Sequence, residues 1–122
     1  SVTWKLASVA VARGNLAEGA RRLDASRTEL AQLGLTNDAA LATLEWAEVR
    51  LALEQPDGVA DSCREIVMVF ANEGMQRHAK QALAVLHDTL VAGHATPVLV
   101  RHVRAYLEQL PARPSEAFLA PQ

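Results

Sequence analysis

Apolar side chains recur every three or four residues along most of the chain, which is the spacing of a helix packed on one side. Clusters of glycine, asparagine and proline interrupt this pattern and predict helix ends. The interruptions lie at Gly14–Asn15, Gly34–Asn37, Pro56–Gly58, Gly74 and Gly93–Pro97. They leave six helical segments: 2–13, 16–33, 38–54, 59–73, 75–92 and 97–110. Because the connections are short, consecutive helices should be antiparallel neighbours.

The predicted helices differ in how many apolar faces they carry. Segment 59–73 has one stripe, which includes Val59, Cys63, Ile66 and Phe70. Segment 38–54 has two opposed stripes, and such a helix must be covered on both sides. The two stripes are Ala40, Leu44, Ala47 and Leu51 on one side and Ala42, Trp46, Val49 and Leu53 on the other. Alternating one-sided and two-sided helices favour a row of stacked hairpins over a closed four-helix bundle.

Composition narrows the class of protein. The 122 residues suit one domain, and Ala and Leu dominate, whereas strand-favouring Ile and Tyr occur at Ile66 and Tyr106 only. Twelve basic against fourteen acidic residues, net charge −2, do not predict direct nucleic-acid binding. No apolar run approaches the ~18 residues that span a bilayer, so we expect no membrane contact. With Cys63 as the single cysteine, the expected location is the reducing cytoplasm.

The composition changes after residue 110, and one short segment of the chain resembles another. Residues 1–110 form the predicted helical-repeat domain, and 111–122 form a proline-rich tail that we expect to trail off. Because Ser1 is not a methionine, we expect the sequence to be a fragment of a longer protein. Residues 31–35 (AQLGL) recur forty residues later as 71–75 (ANEGM), the period of a two-helix repeat. Chance similarity between two Ala/Leu-rich helix ends is the alternative.

Several segments resemble tetratricopeptide repeats. Residues 14–20 (GNLAEGA) resemble the Gly-Asp-Tyr-x-Glu-Ala turn of these repeats. Residues 66–70 (IVMVF), 74–77 (GMQR) and 99–108 (LVRHVRAYLE) resemble the last repeats and terminal helix of bacterial tetratricopeptide-like proteins. Leu16 replaces the expected aromatic and Pro56 an expected glycine. The resemblance implies an all-α fold of about six helices, stacked as three antiparallel hairpins in a right-handed superhelix. It also implies a protein-interaction scaffold belonging to a bacterial regulator.

The same resemblance implies a location for the partner site. In such repeats the first helix of each hairpin lines a concave groove that holds a peptide. The third and fifth helices would then supply the partner-binding residues Thr43, Glu45, Glu48, Arg50, Arg77, Lys80 and Gln81. An ordinary solvated helix face is the alternative interpretation of these residues.

The residues that could carry chemistry do not form a recognisable set. No pair of the histidines has the i,i+3 or i,i+4 spacing of helical metal ligands, and Cys63 lies in an apolar stripe. The sequence has neither a nucleophile elbow nor a phosphate-binding glycine loop. We therefore expect a non-enzymatic protein without metal or cofactor. Arg27 lies on an apolar stripe, and either its stem packs beneath an exposed guanidinium or it pairs with Glu45 or Glu48.

Two classes of function remain open. The first is a module that binds a protein or peptide, and the second is a small-ligand-binding effector domain of a helical transcription regulator. A ligand-binding domain needs an enclosed apolar pocket, whereas an interaction module should have an open groove and no cavity much above ~300 Å³.

The first helix predicts self-association. Segment 2–12 is apolar on both faces and carries Lys5 as its single charge, so it lacks the polar cap that ends a repeat array. We expect Trp4 and its neighbours to be buried in a homodimer through this helix.

Overall fold

Six α-helices make up most of the computed structural model, which describes residues 2–72 and 76–120. They are α1 (Val2–Ala12), α2 (Leu16–Gln32), α3 (Thr36–Ala52), α4 (Val59–Asn72), α5 (Arg77–Val91) and α6 (Pro97–Gln109). Their bounds lie within two residues of the predicted segments, except that the predicted end at 73, the break at Gly74 and the predicted start at 75 lie outside the described residues. The described residues contain no strand. The all-α class is therefore confirmed.

Helix α3 lies at the centre, with α2, α4 and α6 packed around it. Leu44 and Ala47 from one of its apolar stripes are buried, and so are Trp46 and Val49 from the other. The prediction that this helix is covered on both sides is confirmed. Buried side chains from all six helices join in one continuous core.

Helices α3 to α6 form a closed ring, because each contacts the next and α6 returns to α3. The ion pairs Glu48–Arg101 and Glu45–Arg104 show that α3 and α6 run antiparallel, since the residue number rises on one helix as it falls on the other. The α1–α2 hairpin joins this ring through α2, which packs on α3. The return of α6 to α3 departs from the row of stacked hairpins that the sequence analysis favoured over a closed four-helix bundle. A superhelical path for the hairpins stays a prediction.

A glycine allows α1 to approach α2 closely. Gly19 is buried on α2, and a Cβ atom built there would lie 2.5 Å from Cγ2 of Val11 on α1. Any side chain at this position would therefore push the two helices apart or displace Val11. The same contact explains why a glycine stands inside a helix, where it has a low intrinsic propensity.

The proline-rich tail packs along α6 instead of extending away from the domain as we expected. Residues 111–120 fold back along α6, where the Tyr106 hydroxyl donates to the Glu116 carbonyl. The His102 Nε2 atom lies 2.8 Å from the Leu119 carbonyl oxygen, and the Phe118 ring packs 5.1 Å from that of Tyr106. The prolines end the helix as predicted, but the aromatic side chains on α6 hold the segment that follows.

No helix in the described part of the chain is both long enough and apolar enough to cross a membrane.

Candidate functional site

An open groove crosses α2, α3 and α4 and has a volume of about 550 Å³. We call it the α2–α4 groove. Its floor is α3, which contributes Ala39, Ala40 and Thr43. Its walls are Thr28, Ala31 and Gln32 from α2, and Ser62, Glu65, Ile66, Val69 and Phe70 from α4. The floor thus carries short side chains, and the α4 wall is mostly apolar.

Arg27 lies in the wall of the groove. Its Nε atom is 2.8 Å from Asp24 Oδ1, and its Nη1 donates to Ser62 Oγ across 3.4 Å. The guanidinium lies over the Trp46 ring, 4.2 Å from its centroid, a cation–π contact. The alternative of a salt bridge to Glu45 or Glu48 is wrong, because both carboxylates face α6 instead.

Among the predicted partner-binding residues on α3, Thr43 reaches the groove. It is 7% exposed, and its hydroxyl donates to the Ala39 carbonyl at 2.7 Å, so the methyl-bearing side chain forms part of the floor. The hydroxyl is already engaged within the helix. Thr43 can therefore shape the groove more readily than it can form a polar bond to a partner.

Glu45 and Glu48 lie on the side of α3 that α6 covers. Arg104 reaches both carboxylates, at 3.7 Å and 3.5 Å, and Arg101 lies 3.2 Å from Glu48. Burial raises the pKa of Glu45 above its ordinary value, although its bond from Trp4 and the charge of Arg104 act in the opposite direction. Both glutamates thus link helices within the chain. The signal for this pairing was present in the sequence, since the two arginines and the two glutamates have the same i,i+3 spacing.

Trp4 faces the interior of its own chain. Its Nε1 atom donates to Glu45 Oε2 at 3.2 Å, and its ring packs against the core. The apolar side chains that α1 turns outward are Leu6 and Val9, each 46% exposed. Self-association through the first helix stays a prediction, but these two residues replace Trp4 as its centre.

The remaining predicted partner-binding residues lie apart from the groove. Arg50 donates to the carbonyls of Gln55 and Asp57, at 2.8 Å and 3.0 Å, and so holds the α3–α4 connection. On α5, Arg77 and Gln81 are exposed and Lys80 is half-buried. Because α5 packs on α4 and α6, it stands across the ring from α3. The seven predicted residues therefore do not share one surface.

A second concavity, the end cavity, opens at the end of the ring where α3 and α5 begin and α4 and α6 end. Its volume is about 590 Å³. Its lining consists of Asn37, Ala40, Leu41, Phe70, Gln76, Ala79, Leu107, Glu108, Leu110, Pro111 and Pro114. The end cavity and the α2–α4 groove both exceed the ~300 Å³ above which we expected no cavity in an interaction module, and both lie in the range of small-molecule sites, but neither is enclosed. Sequence reasoning missed this cavity because part of its lining, Pro111 and Pro114, belongs to the tail that we expected to trail off.

Reactive groups are few in the described part of the chain. No three of its His, Cys, Asp or Glu side chains are grouped so that they could hold a metal ion. The Cys63 thiol is buried and donates to the Leu83 carbonyl, with 3.8 Å between Sγ and the oxygen. Burial raises the pKa of this thiol to about 12, so it stays protonated at neutral pH.

No protein-family model, curated protein or solved structure matches this chain. The resemblance to tetratricopeptide repeats therefore stays a prediction, which depends on the turn and helix residues quoted above.

Proposed function

We propose that this chain is a non-enzymatic interaction module that binds a protein or peptide in the α2–α4 groove. The observation that carries the proposal is the groove itself, an open channel with short side chains on its floor and apolar side chains along one wall. In the setting we propose, the module is part of a bacterial, cytoplasmic regulatory protein. It would act without contacting nucleic acid or membrane directly.

The shape of the groove favours a helical ligand. An amphipathic helix binds in this way by placing apolar side chains at i, i+3, i+4 and i+7 into a groove between helices. Ala39 and Ala40 on the floor leave room for such side chains, and Ile66 and Val69 supply apolar surface beside them. Arg27 and Glu65 place one charge of each sign in the lining, which would set the direction of the bound helix.

The burial and the raised pKa of the Cys63 thiol agree with a non-enzymatic role. A nucleophilic cysteine needs a lowered pKa and access to its substrate. Cys63 has a raised pKa and is buried between α4 and α5. Cys63 therefore does not supply an activated nucleophile.

A bulky side chain placed in the α2–α4 groove tests this proposal. Ala39 is half-buried on the floor, so Ala39→Trp should obstruct the channel, while Ala25→Trp places the same side chain at an exposed position on α2 outside the lining. A display library of amphipathic helical peptides selected on the wild type would supply the ligands. We expect Ala39→Trp to weaken the selected peptides by about tenfold or more, about 1.4 kcal/mol, and Ala25→Trp to leave them unchanged. Peptides that bind Ala39→Trp as tightly as the wild type would refute the groove as the site.

The second candidate is a small-ligand effector domain, and the end cavity favours it. Groove and cavity share only Ala40 and Phe70 among their described lining residues, so they can be blocked separately. Leu41 is half-buried and lines the cavity but not the groove. A natural ligand that is lost with Leu41→Trp and retained with Ala39→Trp would identify the effector function.

A further inference from the structure

The end cavity combines an apolar wall with a few polar groups. Eight of its described lining residues are alanine, leucine, phenylalanine or proline, and three are polar: Asn37, Gln76 and Glu108. Ligand sites in proteins have this composition, in which apolar side chains supply contact area and a few polar groups set orientation.

The side-chain amide of Gln76 is held in one orientation. Its amide nitrogen donates to the Pro114 carbonyl, and this bond determines which end of the amide is oxygen, since a carbonyl can only accept. The Oε1 atom is buried and has no hydrogen-bond partner among the described residues. Because Oε1 has almost no accessible surface, a ligand can bond to it only if the Gln76 side chain turns toward the cavity.

Glu108 gives the cavity a negative charge. Its carboxylate is half-exposed, and Arg104 Nε lies 3.7 Å from Oε1, a long and partly screened ion pair. The described lining contains no lysine, arginine or histidine. An anionic ligand would therefore meet a carboxylate without a cation in the cavity wall, whereas a cationic ligand would meet an opposite charge.

We propose that the end cavity binds a small, mainly apolar molecule with one cationic nitrogen, which is the chemistry of an alkyl or arylalkyl amine. The ammonium group donates to the Glu108 carboxylate, the one charged group of the described lining. The apolar body packs against the half-buried Leu41 and Leu107, where it replaces water on the exposed part of these side chains. This site is independent of the peptide groove, so either proposal can fail without the other.

Three probes that share a phenyl ring on a three-carbon chain and differ in the terminal polar group test the proposal. They are 3-phenylpropylamine, 3-phenylpropanol and 3-phenylpropanoate. Each is titrated at pH 7 and low salt into the ¹⁵N-labelled chain, and amide shifts are followed by NMR. We expect the amine to shift the amides of Gln76, Ala79 and Leu107 and to bind about tenfold more tightly than the alcohol or the acid. Equal affinity for amine and acid, shifts confined to other parts of the chain, or no binding of any probe would each overturn the proposal.

Three variants show whether the amine preference depends on Glu108 and whether the probes bind in the end cavity. Glu108→Gln removes the charge at a half-exposed position, and we expect it to abolish the preference for the amine while alcohol binding persists. Glu29→Gln makes the same change at an exposed position on α2 and should leave the preference intact. Leu41→Trp fills the cavity and should abolish binding of all three probes in protein that keeps its helical circular-dichroism spectrum. An amine preference that survives Glu108→Gln overturns the proposal, whatever the folding of the Leu41 variant.

Discussion

At the scale of single residues, the end of α3 differs from the ends of α1, α2 and α5. The chain leaves α1, α2 and α5 through glycines with positive φ, as in Gly34 at 75°. It leaves α3 through Glu54, whose φ is 58°, and the following amide of Gln55 closes the turn on the Arg50 carbonyl at 2.9 Å. A side chain in this left-handed region costs roughly 1–2 kcal/mol relative to glycine.

We therefore predict that Glu54→Gly stabilises the fold. Relief of the backbone strain outweighs the greater freedom of glycine in the unfolded chain, which leaves a gain of about 0.5–1 kcal/mol. Gly34→Ala is the matched control, and it should cost about 1 kcal/mol. A Cβ at Gly34 meets no atom within 4 Å, so backbone strain is the dominant effect. Urea unfolding measures both changes, and a Glu54→Gly variant less stable than the wild type would contradict the prediction.

At the scale of elements, the attachment of α6 to α3 combines apolar packing with charge. Val100 and Val103 of α6 are buried in the core. Beside them, the Arg104 side chain is 22% exposed and lies between two half-buried carboxylates, whereas the Arg101 side chain is 59% exposed. Half-buried carboxylates lose hydration, so they depend on a nearby positive charge much more than exposed ones do.

The two arginines should consequently differ in their contribution to stability. We predict that Arg104→Met, which keeps the aliphatic stem, lowers the free energy of unfolding by about 1–3 kcal/mol because Glu45 and Glu48 remain behind with less compensation. Arg101→Met should cost less than about 1 kcal/mol, since water screens that pair. Thermal and urea unfolding at neutral pH compare the variants. Equal losses, or no loss at Arg104, would show that the carboxylates are solvated well enough without it.

At the scale of the whole molecule, the α1–α2 hairpin is the outer layer. Helix α1 packs on α2, and its side-chain link to α3 is the Trp4–Glu45 hydrogen bond. Leu6 and Val9 lie one helical turn apart and both are half-exposed. This apolar strip is the surface through which we expect a second copy to bind.

Light scattering at increasing protein concentration tests this association. We predict that the wild type gains mass and that the double variant Leu6→Glu, Val9→Glu stays monomeric, because two charges cannot be buried in an apolar contact. Lys5→Glu, a charge change at the exposed residue that precedes Leu6, should associate like the wild type. Trp4→Glu should instead lower the unfolding temperature, since Trp4 packs on its own chain. A wild type that remains monomeric at the highest concentration would contradict the prediction.

Part of the candidate site could be predicted from the sequence and part could not. Thr43 was placed on a groove-lining helix, and it lines the α2–α4 groove. Glu45 and Glu48 were placed on the same surface, but α6 covers them. Helical periodicity assigns a residue to a face of its own helix, whereas the neighbour that covers the face depends on residues distant in sequence. The tail shows the same limit, because its contacts depend on Tyr106 and His102 of a packed α6.

The sequence by itself determined the six helices, their approximate ends and the two covered sides of α3. Those properties depend on local patterns: apolar spacing, breakers and the propensity of Ala and Leu. Only the tertiary structure decided that α6 closes on α3, that Trp4 turns inward and that groove and cavity open on either side of Ala40 and Phe70. Short connections allow antiparallel helices to be arranged in more than one way. The choice among arrangements follows from long-range packing and charge pairing, such as that of Arg104 with Glu48.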